Sequence, residues 1–247
     1  MMKFADEMCM YSPSIKRSSS NPCFSIDRLI SPGQITNTLQ FEQQPIMFLD
    51  DGKLVGHEVL FLQNPQSGWE SIDRTVLEFL AHSRHSHQTL FVNLSNETLM
   101  NVPIDMFISA AKANDIIFEI SESFSDAATF NSLIKKVNML VEFGLRFAID
   151  DFGSGRDGMH RLYSINNAAV VKVDGLFIQT SMMRKDAACM LKNLVQEWKQ
   201  NGILTVAEGI ETACILEFAR SLGFDAVQGW HVDALIQNIQ TNNLHQK

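Results

Sequence analysis

Seven short apolar runs along the chain each end in a single polar or acidic residue: Leu54–Glu58, Thr89–Asn93, Ile116–Glu119, Arg146–Asp150, Ala169–Lys172, Ile203–Glu208 and Asp225–Gln228. The polar ends lie 20 to 36 residues apart, the size of one strand, one helix and their connections. Between them, helical spacing of apolar residues predicts helices at about 70–84, 96–113, 125–143, 157–165, 186–201, 211–222 and 233–243. In the third of these, Phe130, Leu133, Ile134, Val137, Leu140 and Val141 share one face, and Gly144 stands where a C-terminal cap belongs. Ahead of the alternation, Phe41–Leu49 and Leu54–Leu62 flank Asp50-Asp51-Gly52-Lys53, a tight hairpin signal that makes these two strands antiparallel. Pro45 has no N–H to donate, which places it at a bulge or a less regular part of the sheet.

Counting the hairpin, eight strands alternate with helices. That predicts an α/β fold, a (β/α)8 TIM-type barrel with its first strand antiparallel; an open doubly wound sheet is the alternative. The barrel domain is expected over 24–247, with residues 24–39 forming one or two short helices. Residues 1–23 read as a flexible arm: Ser12, Ser14, Ser18, Ser19 and Ser20 surround Lys16 and Arg17, and Pro13 and Pro22 break any helix. Binding of a protein partner is the sharper reading of that arm.

Composition narrows the picture. With 247 residues and 45% hydrophobic content, the chain can bury one barrel-sized core. A formal charge of −8 opposes non-specific nucleic-acid binding. No run of 18 apolar residues and no signal-peptide core occur, so neither a membrane span nor secretion is expected. Cys9, Cys23, Cys189 and Cys214 lack metal-like spacing and read as thiols in a reducing cytoplasm.

In a parallel barrel the C-terminal ends of the strands share one rim, so the seven polar ends converge on one pocket. The segment Asp150-Asp151-Phe152-Gly153-Ser154-Gly155 is the most specific. At a strand end where the chain turns, adjacent carboxylates can reach one site, an arrangement that suits a pair of divalent ions. Helix capping by Asp151 or Ser154 is the bland alternative. Glu119 and Glu122, like Glu208 and Glu211, pair a strand end with a residue three further on; for Glu122 and Glu211 a helix-start role competes. Asn93 adds a neutral oxygen, and such hard ligands favour Mg²⁺ or Mn²⁺. Lys172, inside an apolar strand, stays charged beside carboxylates and is placed to orient or deprotonate a water; a structural ion pair is its alternative. Trp230 is placed to line the pocket. The histidines carry no assigned role.

Together these segments resemble the EAL domain, the cyclic di-GMP phosphodiesterase family. Gln44-Pro45-Ile46, Gly56-His57-Glu58-Val59-Leu60, Val92-Asn93-Leu94-Ser95, Glu119-Ile120-Ser121-Glu122, the Asp150–Gly155 segment, Lys172-Val173-Asp174, Ala207-Glu208-Gly209-Ile210-Glu211 and Gln228-Gly229 match in order, over about residues 38 to 232. The resemblance implies hydrolysis of cyclic di-GMP to linear pGpG with two Mg²⁺ or Mn²⁺ ions. It implies metal ligands Glu58, Asn93, Glu119, Asp150, Asp151 and Glu208, and a catalytic group made of Lys172, Glu58 and Glu122, with Glu122 anchoring the loop after Asp151. Gln44, Gln228 and Glu211 would support substrate or metals. It also implies a homodimer through the loop after Gly155, and biofilm or motility as outputs.

Three departures accompany the match. Leu62 stands where the family carries an arginine that meets a substrate phosphate; one lost charge-assisted contact costs on the order of 1.5–3 kcal/mol. The stretch from Glu58 to Asn93 is shorter than usual. The loop after Gly155 reads Arg156-Asp157-Gly158-Met159-His160, in which Arg156 partly replaces the missing positive charge. The sequence therefore supports an active stand-alone phosphodiesterase, with a catalytically silent regulator that binds a protein or senses the nucleotide as the rival reading.

Overall fold

A computed structural model describes residues 21–31, 34–63, 68–83, 88–120, 127–155 and 158–244, of which 27–31, 34–37 and 239–244 are described by their backbone alone. Strands β1 (Cys23–Ser31), β2 (Gln34–Phe48) and β3 (Leu54–Phe61) form an antiparallel meander. Parallel strands follow: β4 (Thr89–Asn93), β5 (Ile116–Ile120), β6 (Arg146–Phe152), β7 (Val170–Val173), β8 (Leu204–Ala207) and β9 (Ala226–Gln228). Antiparallel pairing of β2 with β9 closes β2–β9 into an eight-stranded barrel, leaving β1 as an added outer strand. The expected barrel with one reversed strand is the observed architecture. The turn at Asp50-Asp51-Gly52 is closed by carboxylates: the Asp51 N–H donates to Asp50 Oδ1 and the Lys53 N–H to Asp51 Oδ1. Pro45 pairs with His57 of β3, next to a register shift after Ile46 and just outside the pairing with β9.

The expected helices at 24–39 do not form. Phe24 to Thr38 instead pair across the β1–β2 hairpin, with Ile26 opposite Leu39 and both buried. Phe24 stacks on Phe41 and Phe79, so an aromatic face holds the added strand against the barrel. Of the expected arm, residues 1–20 lie outside the described residues.

The helices are α1 (Trp69–His82), α2 (Asn96–Asn101), α3 (Ile104–Ala113), α4 (Ala127–Glu142), α5 (Gly158–Ser164), α6 (Gly175–Met182), α7 (Lys185–Gln200), α8 (Ala213–Leu222) and α9 (Trp230–Leu244). Pro103 splits the expected 96–113 helix into α2 and α3, because its ring cannot continue a helix past the preceding turn. Among the described residues, no helix is long and apolar enough to cross a membrane.

The barrel interior explains why the strands end as they do. Side chains two residues apart on a strand share a face. Ile46, Phe91, Ile117, Ala148, Val170, Val206 and Ala226 fill the lumen as one apolar cluster. Two positions along each of these strands stand Gln44, Asn93, Glu119, Asp150, Lys172, Glu208 and Gln228. Gly56 is the matching partner of Glu58: a Cβ there would lie 2.3 Å from the Thr89 carbonyl oxygen, with Phe91 at 3.1 Å. An apolar layer thus supports a polar layer, one residue per strand.

Candidate active site

Lys172 is fully buried, and its Nζ lies 2.9 Å from Glu58 Oε2, 2.9 Å from Glu119 Oε1, 3.0 Å from Asp150 Oδ1 and 2.8 Å from Glu208 Oε1. Strands β3, β5 and β6 each contribute one carboxylate, and the residue that follows β8 contributes the fourth. Burial alone would strip the proton from this ammonium; Asp150, Glu119, Glu208 and Glu58 together outweigh it and hold Lys172 well above the ordinary lysine range. With these carboxylates around it, Lys172 is therefore held as a cation and donor.

The carboxylates divide by environment. Burial raises Glu58, but the charge and hydrogen bonds of Lys172, with the amides of Gln228 and Asn93, bring it below the usual range. Glu119 is pushed well above that range by burial and then by the Glu58 charge. Glu208 is pushed well above it by burial, which outweighs Lys172, and Asp150 is raised for the same reason. Asp151 is raised to about 6 by burial and by Asp150.

Asp150 and Asp151 both reach the site because the β6–β7 register shifts between Ile149 and Phe152. Asp151 takes up a left-handed conformation, φ 54°, within that irregularity. Gly153 follows with φ 99°, where a Cβ would sit 2.4 Å from the Phe177 ring, so only glycine lets this loop pack under α6. Asp174 caps α6 by accepting from the Phe177 N–H.

Two groups of oxygens lie within 4.8 Å of one another: Glu58, Glu119 and Asp150; and Asp150, Asp151 and Glu208. Asp150 belongs to both. Glu119 Oε2 is buried with no partner among the described residues, and Glu119 Oε1 and Asp150 Oδ1 face only the Lys172 ammonium. Five carboxyl groups surround one ammonium, three of them (Glu58, Glu119 and Asp150) buried, and hard oxygens in two groups sharing one aspartate suit a pair of divalent cations.

Amides frame the cluster. Asn93 Nδ2 donates to Glu58 Oε1 at 2.7 Å, Gln228 Nε2 to Glu58 Oε2 at 2.6 Å and to Gln44 Oε1 at 2.9 Å. A cleft of about 230 Å³ opens over them, lined by Gln44, Glu58, Glu208, Gly209, Glu211, Gln228, Gly229 and Trp230. Gly209 approaches Gly175 so closely that a Cβ on either would lie 2.8 Å from the other's Cα, which fixes the loop carrying Glu208. Leu62, just past β3, is exposed and bonded through its backbone to Gln40. Glu122 and Arg156 lie outside the described residues. A larger hollow, about 340 Å³, opens near Asp50 and Asp225; its Lys199 is already paired with the Gly223 carbonyl and Asp225, and its Arg220 with the Leu49 carbonyl.

Two residues absent from the sequence reading join the site's surroundings. Asp233, in the first turn of α9, accepts from Gln44 Nε2 at 3.3 Å and from Asn21 Nδ2 at 3.1 Å. Burial raises Asp233 above the usual range, opposed by those two amides. Asp233 resembles a capping acid in sequence, and Asn21 lies 212 positions away from it.

Comparison with known proteins agrees with the geometry. The EAL domain profile matches residues 70–234. The oxygen sensor protein DosP of Escherichia coli K12 is 25% identical over 225 residues, covering 78% of this chain and 28% of that protein. The cyclic di-GMP phosphodiesterase PdeF of the same organism is 31% identical over 173 residues, covering 65% of this chain and 23% of its own length. The chain thus spans about a quarter of the length of these relatives. Among solved structures, the calcium and cyclic di-GMP complex of Klebsiella pneumoniae BlrP1 shares the fold, with a TM-score of 0.65 and 23% identity over 86% of this chain and 58% of that one. With the profile match extending over most of the barrel, the chain belongs to the EAL domain family.

Proposed function

We propose that this protein is a cyclic di-GMP phosphodiesterase that opens one phosphodiester to give linear pGpG. The observation that carries this reading is the ring of strand-end carboxylates around Lys172, in two groups that share Asp150, with Glu119 Oε2 buried and unpartnered among the described residues. PdeF, a relative named for this activity, adds support. Two Mg²⁺ or Mn²⁺ ions held by Glu58, Asn93, Glu119, Asp150, Asp151 and Glu208 would supply an activated water and charge stabilisation at the attacking and leaving oxygens.

The chain's own residues do the rest. Lys172 keeps the four carboxylates converged, its three N–H donors shared among them. Asn93 and Gln228 hold Glu58 between two amides, so its oxygens face the cluster in one orientation. Glu211 and Trp230 line the cleft above and are placed to meet the nucleotide. On this reading Glu122, three residues after Glu119 in sequence, would anchor the loop following Asp151, and Arg156 would add a cation for substrate phosphate. A homodimer through the region after Gly155 completes the reading, consistent with exposed Met159 and Tyr163 on α5.

The experiment is incubation of the purified protein with cyclic di-GMP and either metal, followed by detection of pGpG. Turnover that disappears in Glu58→Ala and Lys172→Ala is expected. Absence of pGpG under both metals, at enzyme concentrations near those of substrate, overturns the reading. Binding of the nucleotide without turnover would instead favour a silent regulator, the reading that exposed Leu62 supports.

A further inference from the structure

A line of hydrogen bonds runs from Asn21, ahead of β1, to Glu58 in the carboxylate cluster. Asn21 Nδ2 bridges Glu42 Oε1 at 2.7 Å and Asp233 Oδ2 at 3.1 Å. Gln44 Nε2 donates to the same Asp233 oxygen, Gln44 Oε1 accepts from Gln228 Nε2, and Gln228 Nε2 also donates to Glu58 Oε2. Asn21, Asp233, Gln228 and Glu58 are all buried.

We propose that Asp233 and Asn21 are positioning residues for the site, setting the direction of hydrogen bonding through Gln44 and Gln228 and so holding Glu58 in place. The inference rests on the metal-centre reading above and adds the outer residues that orient it.

Donors and acceptors fix the direction of the relay. An ionised carboxylate only accepts, whereas a glutamine amide can face either way. Asp233 therefore forces the Gln44 nitrogen toward itself and the Gln44 oxygen toward Gln228. Glu58 forces the Gln228 nitrogen toward the cluster. The two demands agree only in the observed order, which leaves Gln228 Oε1 as a buried acceptor without a donor. If Gln44 turned over, its NH₂ would face the NH₂ of Gln228, and Gln228 could relieve that only by giving up Glu58. Asn21 is constrained in the same way, because both of its partners are carboxylates. Outer partners of this kind fix the orientation of metal ligands.

The test uses Asp233→Asn, which keeps volume and lets the relay run in either direction. Side-chain amide hydrogen exchange of Gln44 and Gln228 is followed by NMR in the metal-free protein, and Mn²⁺ affinity by calorimetry. The expected result is faster exchange at both glutamines and Mn²⁺ binding weaker by about tenfold, the lower end of the range for outer-shell losses. Asn21→Ala should move both readouts in the same direction. In a Gln44→Ala background the Asp233 substitution should add less than about twofold, because the connection is already cut. Unchanged exchange in Asp233→Asn, or the same loss of Mn²⁺ affinity with and without Gln44, overturns the relay. A wild-type protein that binds no Mn²⁺ overturns the metal reading instead, and the exchange data still decide the relay.

Discussion

Replacing Glu119 by glutamine exchanges an ionisable carboxyl at the base of the cleft for a neutral amide of the same volume. The consequence for stability has a definite sign. Glu119 gains from Lys172 at 2.9 Å, worth about 5.7 kcal/mol gross at an effective dielectric near 20. It is opposed by Glu58 and Asp150, with ligand oxygens within 4.8 Å, each repulsion worth about 3.5 kcal/mol or more on the same scale. The repulsions together, about 7 kcal/mol, exceed the attraction, and the desolvation of a fully buried carboxylate adds to the cost. Without metal, Glu119→Gln should be at least as stable as wild type, by up to about 1–3 kcal/mol. With Mn²⁺ the order should reverse, since losing one charged ligand weakens binding and saturating metal stabilises the wild type by about 2.7 kcal/mol at a hundredfold excess over Kd. Urea denaturation in EDTA and in Mn²⁺ measures both quantities. A variant less stable than wild type in EDTA by more than about 1 kcal/mol would refute the claim that uncompensated negative charge dominates this cluster.

Other outcomes follow from the same geometry. Lys172→Met leaves the carboxylates without their central cation and should cost about 3–5 kcal/mol in EDTA, with turnover lost; denaturation and pGpG release check the two effects. Leu62→Arg should restore a phosphate contact and lower KM by about tenfold or more, with kcat little changed; an unchanged KM would place position 62 away from the phosphate. Asp73 holds the β4–α2 connection, accepting from the Ser95 N–H and the Thr98 hydroxyl, and burial raises its carboxyl above the ordinary value. Its folded state therefore binds the proton more tightly, so its stabilising contribution is present below the unfolded pKa and is lost as pH rises through the folded one. Comparing Asp73→Asn with wild type by denaturation across that window should show the wild type's relative stability falling with rising pH.

The polar strand ends were legible because a strand repeats every two residues. Each of them sits two places beyond a lumen-filling residue such as Phe91, Ala148 or Val206, so the apolar run points inward and its polar terminus points into the pocket. The β2–β3 hairpin was legible from Asp51-Gly52. The hairpin at 23–48 was not, although Pro32-Gly33 is a turn signal, because Phe24 and Ile26 are too few to separate a two-residue period from a helical one. Helix α6 went unread because it is short and exposes Leu176, leaving little amphipathic contrast; its one local marker is the Asp174 cap. Asn21 and Asp233 escaped for a different reason: their roles come from contact across the closed barrel, and neither has a neighbour in sequence that signals it.

The barrel is not equally strong all the way round. Its shortest stave, β9, has three residues, joined to β2 by three residue pairs and to β8 by two, whereas β2 and β3 share seven. That stave also carries Gln228, which grips both Gln44 and Glu58. Thermal fraying there would open the cylinder and dismantle the pocket in a single event, while the rest of the wall stays shut. Heat inactivation should therefore run ahead of global melting, and an occupied pocket would act as the clasp that brings the two temperatures together.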